Sequence, residues 1–264
     1  MYNFEYHKPA SVADAAALIG KAEDGKLMAG GMTLLPTLKQ RLAQPSDLID
    51  LGGLADLVGI KREGNAVVIG AMTTHGAVAA SAEVKQAIPG LAQLASWIGD
   101  PAVRNRGTLG GSICNNDPAA DYPGAVVALG ATVTTNQRTI AGEDFFTGMF
   151  ETALEEGEIV QSVSFPIPEK ATYEKFRNPA SRYAIVGAFV AKGPNGVRVA
   201  ITGAGPTVFR WKEAEAALAA NFSPSAIEGL KHPADGLNGD IHASAEYRAH
   251  LVGVMTKRAV AAAG

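Results

Sequence analysis

Cysteine is nearly absent: the 264-residue chain has one, Cys114. A single thiol excludes a disulfide within the chain, and it excludes a zinc or iron–sulfur site built on several cysteines. Basic charge is not in excess. Lys and Arg number 23 against 26 Asp and Glu, a formal net charge of -3, so no strong field favours nucleic acid or an anionic membrane as a partner. No run approaches the roughly 18 consecutive apolar residues of a membrane span. The N-terminal stretch from Met1 to Pro9 lacks a basic head followed by an apolar run, so no secretory signal is expected. The five histidines, His7, His75, His232, His242 and His250, show no metal-ligand spacing. No Gly-x-Gly-x-x-Gly follows a strand, so the usual Rossmann fingerprint is missing. The stretch from Gly20 to Lys26 nearly matches a phosphate-binding loop, but Leu27 stands where that loop needs Ser or Thr for magnesium. These absences fit a reducing, cytoplasmic setting and a chain without a metal site of its own.

Hydrophobic residues make up 47% of the chain and charged residues 19%, enough apolar material for two packed domains at this length. Ser11 opens an amphipathic helix over 12–22. Residues 27–29 read as a strand, Thr33 to Arg41 as a helix with Pro36 in its first turn, and 48–51 as a strand. Residues 58–61 and 66–70 read as strands joined by a turn, and 74–81 as a short helix. A longer helix over 84–98 is expected to be bent or interrupted at Pro89. A helix over 122–129 and a strand over 131–135 follow, then a short helix from Glu143. From about residue 157 the texture changes to four strand-like runs, 159–165, 172–177, 184–192 and 197–202. Gly193 to Gly196 reads as a hairpin loop between the last two. Helices over 212–220, 223–230 and 244–262 close the chain. Strands followed by helices indicate an α+β C-terminal domain on an antiparallel sheet, with the boundary between residues 150 and 165.

Two glycine stretches stand out. In Ala29-Gly30-Gly31-Met32-Thr33 a strand end runs into a helix start, where backbone N–H groups and the helix dipole favour a pyrophosphate. Gly107 to Asp121 holds a second pair, Gly110-Gly111, read as part of a short apolar strand, and ends on Asp117 and Asp121. Adjacent glycines let backbone approach a ligand closely, and their N–H groups can form an anion-binding nest. An acid beside a diphosphate is unfavourable unless it accepts from a ribose or ribityl hydroxyl, a role that suits Asp121. Each stretch alone is also compatible with a plain turn; together they read as two halves of one dinucleotide cradle.

The sequence from Ala29 to Leu42, taken with that from Gly107 to Asp121, resembles the flavin-binding medium subunit of molybdenum hydroxylases, the family of the carbon monoxide dehydrogenase medium subunit and the xanthine dehydrogenase flavin domain. The resemblance extends through Asp50-Leu51, Val68 to Thr74, Asp100 to Asn105 and Tyr173-Glu174-Lys175. It implies an α+β, vanillyl-alcohol-oxidase-type (PCMH-type) FAD-binding domain over 1–160, with subdomains of about 1–56 and 57–160, and a C-terminal domain over 161–264. Carried over, Ala29, Gly30, Gly31, Met32, Thr33 and Leu34 with Thr108, Gly110, Gly111 and Ser112 hold the FAD diphosphate. Asp121, with Asp117 nearby, serves the ribityl or ribose side. Val160 gives backbone contacts, Lys175 lies near the isoalloxazine, and Ile98 and Tyr183 are ring neighbours. Met32 stands where covalent relatives carry histidine, so FAD is expected to be non-covalent. Having Cys114 alone departs from the branch that carries a further iron–sulfur cluster in this subunit. Molybdopterin and [2Fe–2S] clusters would belong to a large and a small partner subunit, in a dimer of heterotrimers. The chain would then relay electrons to an external acceptor with no catalytic residue of its own. The alternatives are a stand-alone flavin reductase or oxidase on the same fold, and an assembly subunit without FAD.

Overall fold

The computed structural model describes residues 1–194 and 196–264 and mixes helices with four sheets. Near the N-terminus, Glu5–His7, Asp47–Asp50 and Gly25–Met28 pair as a three-stranded parallel sheet. The helix Val12–Ile19 packs against it, with Ser11 accepting from Asp14 N. The central sheet has five antiparallel strands in the order Ile60–Glu63, Ala66–Gly70, Val160–Pro166, Thr132–Thr135 and Thr139–Ala141. The C-terminal sheet runs Lys170–Arg177, Ala184–Gly193, Gly196–Thr202 and Phe209–Arg210, all antiparallel. The last helix, Ala245–Ala263, lies against its first two strands. Its buried Arg248 donates to the carbonyls of Ile185 and Gly203 and pairs with Asp240. Among the described residues, no helix is long and apolar enough to cross a membrane.

Several expectations need correcting. Val160–Pro166 does not open the C-terminal sheet. It lies at the centre of the middle sheet, with Val163 and Phe165 fully buried. Its pairing joins residues far apart in the chain, which local alternation cannot reveal. The second glycine pair lies in no strand. Thr108 caps a helix, Leu109–Asn115, by accepting from Gly111 N at 3.1 Å, and both glycines fall within that helix's first turn. Pro89 does interrupt the helical region, giving Ala82–Ala87 and Pro89–Ser96. Residues 223–230 shorten to a 3-10 turn, Pro224–Ile227, which ends as Glu228 turns extended. A helix over Pro101–Arg106, capped by Asp100 through Val103 N, lacked a periodic signal. Of the expected hairpin loop, Asn195 lies outside the described residues, while Gly193 and Gly196 are paired.

A two-stranded hairpin, Phe146–Gly148 with Glu151–Thr152, turns through Met149 and Phe150. It is tied to the end of the helix Leu109–Asn115 by Asn116, whose amide donates to the carbonyls of Gly148 and Glu151 at 2.8 Å each. Phe150 sits at φ 57° and is 58% exposed. A left-handed phenylalanine costs about 1–2 kcal/mol that glycine avoids, less glycine's larger unfolded-state entropy. Phe150→Gly is therefore expected to stabilise the chain by about 0.5–1 kcal/mol in urea unfolding. A loss of stability would show that the ring makes a contact worth more than the strain.

Candidate functional site

A cavity of about 700 Å³ opens where the N-terminal parallel sheet, the middle sheet and the loop 178–183 of the C-terminal sheet meet. One wall is formed by Ala29, Gly30, Gly31, Met32, Thr33 and Leu34. Thr108, Gly110, Gly111 and Ser112 form another, and Ile98, Asp117, Asp121, Val160 and Tyr183 complete the ring of expected residues. Fifteen of the sixteen candidates thus line one space, although they come from six separate segments.

Lys175 is the exception. Its ammonium is buried behind the wall, 3.0 Å from Asp121 Oδ2, and donates to the Trp97 carbonyl at 3.1 Å. Tyr173 donates to the other Asp121 oxygen. Burial pushes the Asp121 carboxyl up, and the Lys175 ammonium beside it pulls it back down. Both carboxylate oxygens are therefore engaged by protein donors. Asp121 reaches the helix start Tyr122–Ala128 as a neighbour but makes no side-chain cap there.

The two glycine stretches differ in what they offer. Among the described residues, the N–H groups of Gly30, Gly31, Met32 and Thr33 have no protein acceptor. The Thr33 hydroxyl makes no cap bond to the following helix, Leu34–Lys39. Four consecutive unengaged donors on residues that line a cavity at a helix start have the make-up of an anion nest. In the second stretch the donors that follow Thr108 are already taken: Leu109 N by Thr73 O at 3.0 Å, Gly110 N by Ala71 O at 2.8 Å, and Gly111 N by the Thr108 hydroxyl. Its glycines serve packing. A Cβ on Gly110 would fall 2.8 Å from the Ala71 carbonyl, and one on Gly30 would fall 1.9 Å from the Arg106 carbonyl. At these two positions the space a side chain would need is taken by protein backbone, while both residues still line the cavity. The glycines let two loops of the protein close on each other.

Several residues beyond the expected sixteen also line the wall. Cys114 is half-buried in the lining, and burial pushes its thiol up to about 12, so it stays protonated. Glu158 borders the cavity but is held by Arg138, Thr135 and the Glu155 N–H, with its carboxyl lowered to about 2 by the Arg138 guanidinium first of all. Gly99, at φ 50°, accepts from Arg104 and Arg182, which fixes the loop beside Ile98. Glu158 and Gly99 carry no local sequence signal. His75 is also there, 4% exposed, with its pKa lowered to about 4 by burial and by Arg104.

That lowered pKa has a sign. Between about 6.5 and 4 the unfolded chain binds a proton at His75 that the folded chain refuses, so stability is complete above pH 6.5 and is lost as pH falls towards 4. The loss from this group is about 3 kcal/mol at the bottom of the window. Unfolding free energies at pH 7.5 and 4.5 are expected to differ by less in His75→Phe than in the parent. Identical slopes would show that the imidazole is not the titrating group.

The chain also matches known proteins over its whole length. Residues 2–168 match the family model described as the FAD binding domain in molybdopterin dehydrogenase, and residues 171–263 match the CO dehydrogenase flavoprotein C-terminal domain. It is 37% identical to the carbon monoxide dehydrogenase medium chain of Hydrogenophaga pseudoflava, covering 98% of this chain and 96% of that one. It is 36% identical to the nicotine 6-hydroxylase medium subunit of Paenarthrobacter nicotinovorans, over 98% and 96%. A chain in the crystal structure of cyanide-inactivated Cu,Mo-CO dehydrogenase superposes with a TM-score of 0.90 at 34% identity, over 100% and 98%. With a flavin-domain match on the segments that build the cavity and near-complete relatives above 30% identity, the chain belongs to the FAD-binding medium subunits of the CO dehydrogenase-type molybdenum hydroxylases, a family of oxidoreductases.

Proposed function

We propose that this chain is the flavin electron relay of a multi-subunit molybdenum hydroxylase, with FAD lying non-covalently in the 700 Å³ cavity. The observation that carries this reading is the run of four unengaged N–H groups from Gly30 to Thr33 on the cavity wall. They suit the diphosphate, and the Thr33 hydroxyl adds a fifth donor. Met32, where a covalent attachment would need a nucleophile, supplies none. Ile98 and Tyr183 flank the part of the cavity that would take the ring. Asp121, Ala71 and Gly110 also line this cavity. The domain boundary falls after Pro166, where the middle sheet ends.

When bound, FAD accepts single electrons and delivers them in pairs, which is the chemistry the chain itself lacks. Electrons would come from [2Fe–2S] clusters of a small partner, after substrate oxidation at molybdopterin in a large partner, in a cytoplasmic dimer of heterotrimers. An external acceptor would take them away. The protein's part is to position the cofactor and shape its electrostatics, and no side chain has to move a proton in the relay.

The test is co-purification from cells expressing all three subunits, followed by FAD and ADP titration of the chain. Stoichiometric flavin, displaced by ADP from the diphosphate end, together with two accompanying subunits, supports the relay. A yellow chain that purifies alone and turns over a small substrate would replace the relay with a self-sufficient flavoenzyme. A chain that binds neither FAD nor ADP would remove both.

A further inference from the structure

Among the described residues, the side chains that bury a polar atom without a partner include two in contact with each other: His75 through Nδ1 and Tyr122 through its hydroxyl. Their rings lie 5.4 Å apart at 43°. His75 is 96% buried by the complement of its 4% exposure, and it borders the cavity beside Gly107 and Thr108. Its position is fixed from several sides. Its backbone N–H donates to the Gly107 carbonyl at 2.9 Å, and Thr74 bridges Thr108 in antiparallel fashion. Nε2 occupies the space that a side chain at Gly107 would need, 2.6 Å from a Cβ placed there. Glycine at 107 thus leaves room for an imidazole nitrogen at the cavity wall.

The two orphan atoms constrain the tautomer. Burial holds the Tyr122 hydroxyl protonated at any ordinary pH, so it is a donor in search of an acceptor. A bare imidazole nitrogen supplies one through a single bridging water, since the two atoms make no direct bond. With Nδ1 accepting, the ring's proton sits on Nε2, the nitrogen at Gly107. The side chain stays neutral because burial and the neighbouring Arg104 disfavour a second proton.

We propose that His75 is a cofactor-binding residue, oriented by Tyr122 to donate Nε2–H to an oxygen of the FAD diphosphate or ribityl chain. This rests on the FAD reading above. It adds a side-chain donor on the wall where the backbone donors of Leu109, Gly110 and Gly111 are already taken.

The experiment measures FAD and ADP dissociation constants and the urea midpoint of the apo chain for the parent, His75→Phe, His75→Asn and His75→Gln. Glutamine's amide reaches the place of Nε2, and asparagine's reaches only that of Nδ1. His75→Phe and His75→Asn are expected to weaken FAD at least tenfold, while His75→Gln stays within threefold of the parent. The apo midpoint of His75→Phe should be unchanged or higher. Weakening of both ligands assigns the contact to the diphosphate; weakening of FAD alone assigns it to the ribityl chain. Imidazole 15N resonances of the unmodified chain should show the Nε2–H tautomer and move when FAD is added. The proposal is overturned if His75→Phe binds FAD like the parent, if glutamine fails to rescue, or if the free chain carries its proton on Nδ1. A parent chain that binds no FAD would instead overturn the cofactor reading itself.

Discussion

Lys175→Met is expected to destabilise the chain by about 4 kcal/mol, because it leaves the Asp121 carboxylate buried without its counter-charge. The side chains of Lys175 and Asp121 are 0% and 5% exposed, so little water can compensate. For a chain of this size the change should lower the melting midpoint by about 10 °C. Adding Asp121→Asn removes the stranded charge and keeps an acceptor for the Tyr173 hydroxyl, so the double variant should recover more than half of the loss. Urea unfolding of the four members of that cycle measures the coupling. A Lys175→Met chain with unchanged stability but altered flavin binding would place the ammonium in the cavity after all. The prediction separates two readings of one residue. Near a flavin, a lysine stabilises charge on the ring. In this structure it neutralises the acid that forms the cavity wall, and Trp97, whose carbonyl it also binds, precedes Ile98 in the same loop.

That distinction marks how far sequence reading could reach. The N-terminal glycine stretch announced itself: a strand end, two glycines, a threonine and a helix start are all local, and the structure leaves their N–H groups unengaged. The second stretch carries similar letters but plays a different part. Whether Gly110 makes room for a ligand or for Ala71 depends on which segment packs there, and no spacing within residues 107–121 encodes that. The same limit explains Val160–Pro166. Its alternation was legible, its identity as a strand was legible, but its partners Ala66–Gly70 and Thr132–Thr135 were not. His75 was invisible for another reason. Among five histidines without metal spacing nothing sets it apart; its meaning comes from Gly107 beneath its Nε2 and from the orphan hydroxyl of Tyr122.

The packing role of the glycines leads to the other large effect. Gly30→Ala is expected to weaken FAD binding at least 100-fold, about 2.7 kcal/mol or more. The new Cβ would lie 1.9 Å from the Arg106 carbonyl oxygen, 2.6 Å from its carbon and 2.9 Å from Gly107 Cα. All three are backbone atoms, so no rotamer change relieves the clash, and the loop 29–33 must withdraw from the loop at 106–107. The cavity lies on that junction, so its donors move with it. Gly110→Ala should be the next most damaging, since it meets Ala71 Cβ at 2.7 Å and the Ala71 carbonyl at 2.8 Å. Gly111→Ala should cost least, because its nearest neighbours are side-chain atoms, Thr108 Oγ1 at 3.0 Å and Ala29 Cβ at 3.2 Å, and the hydroxyl can shift. Flavin-to-protein absorbance ratios and FAD titrations rank the three. If Gly30→Ala retains stoichiometric FAD, the loop junction does not shape the site. If Gly111→Ala proves the worst, the glycines serve close approach of the ligand, and the packing argument fails at the positions on which it rests.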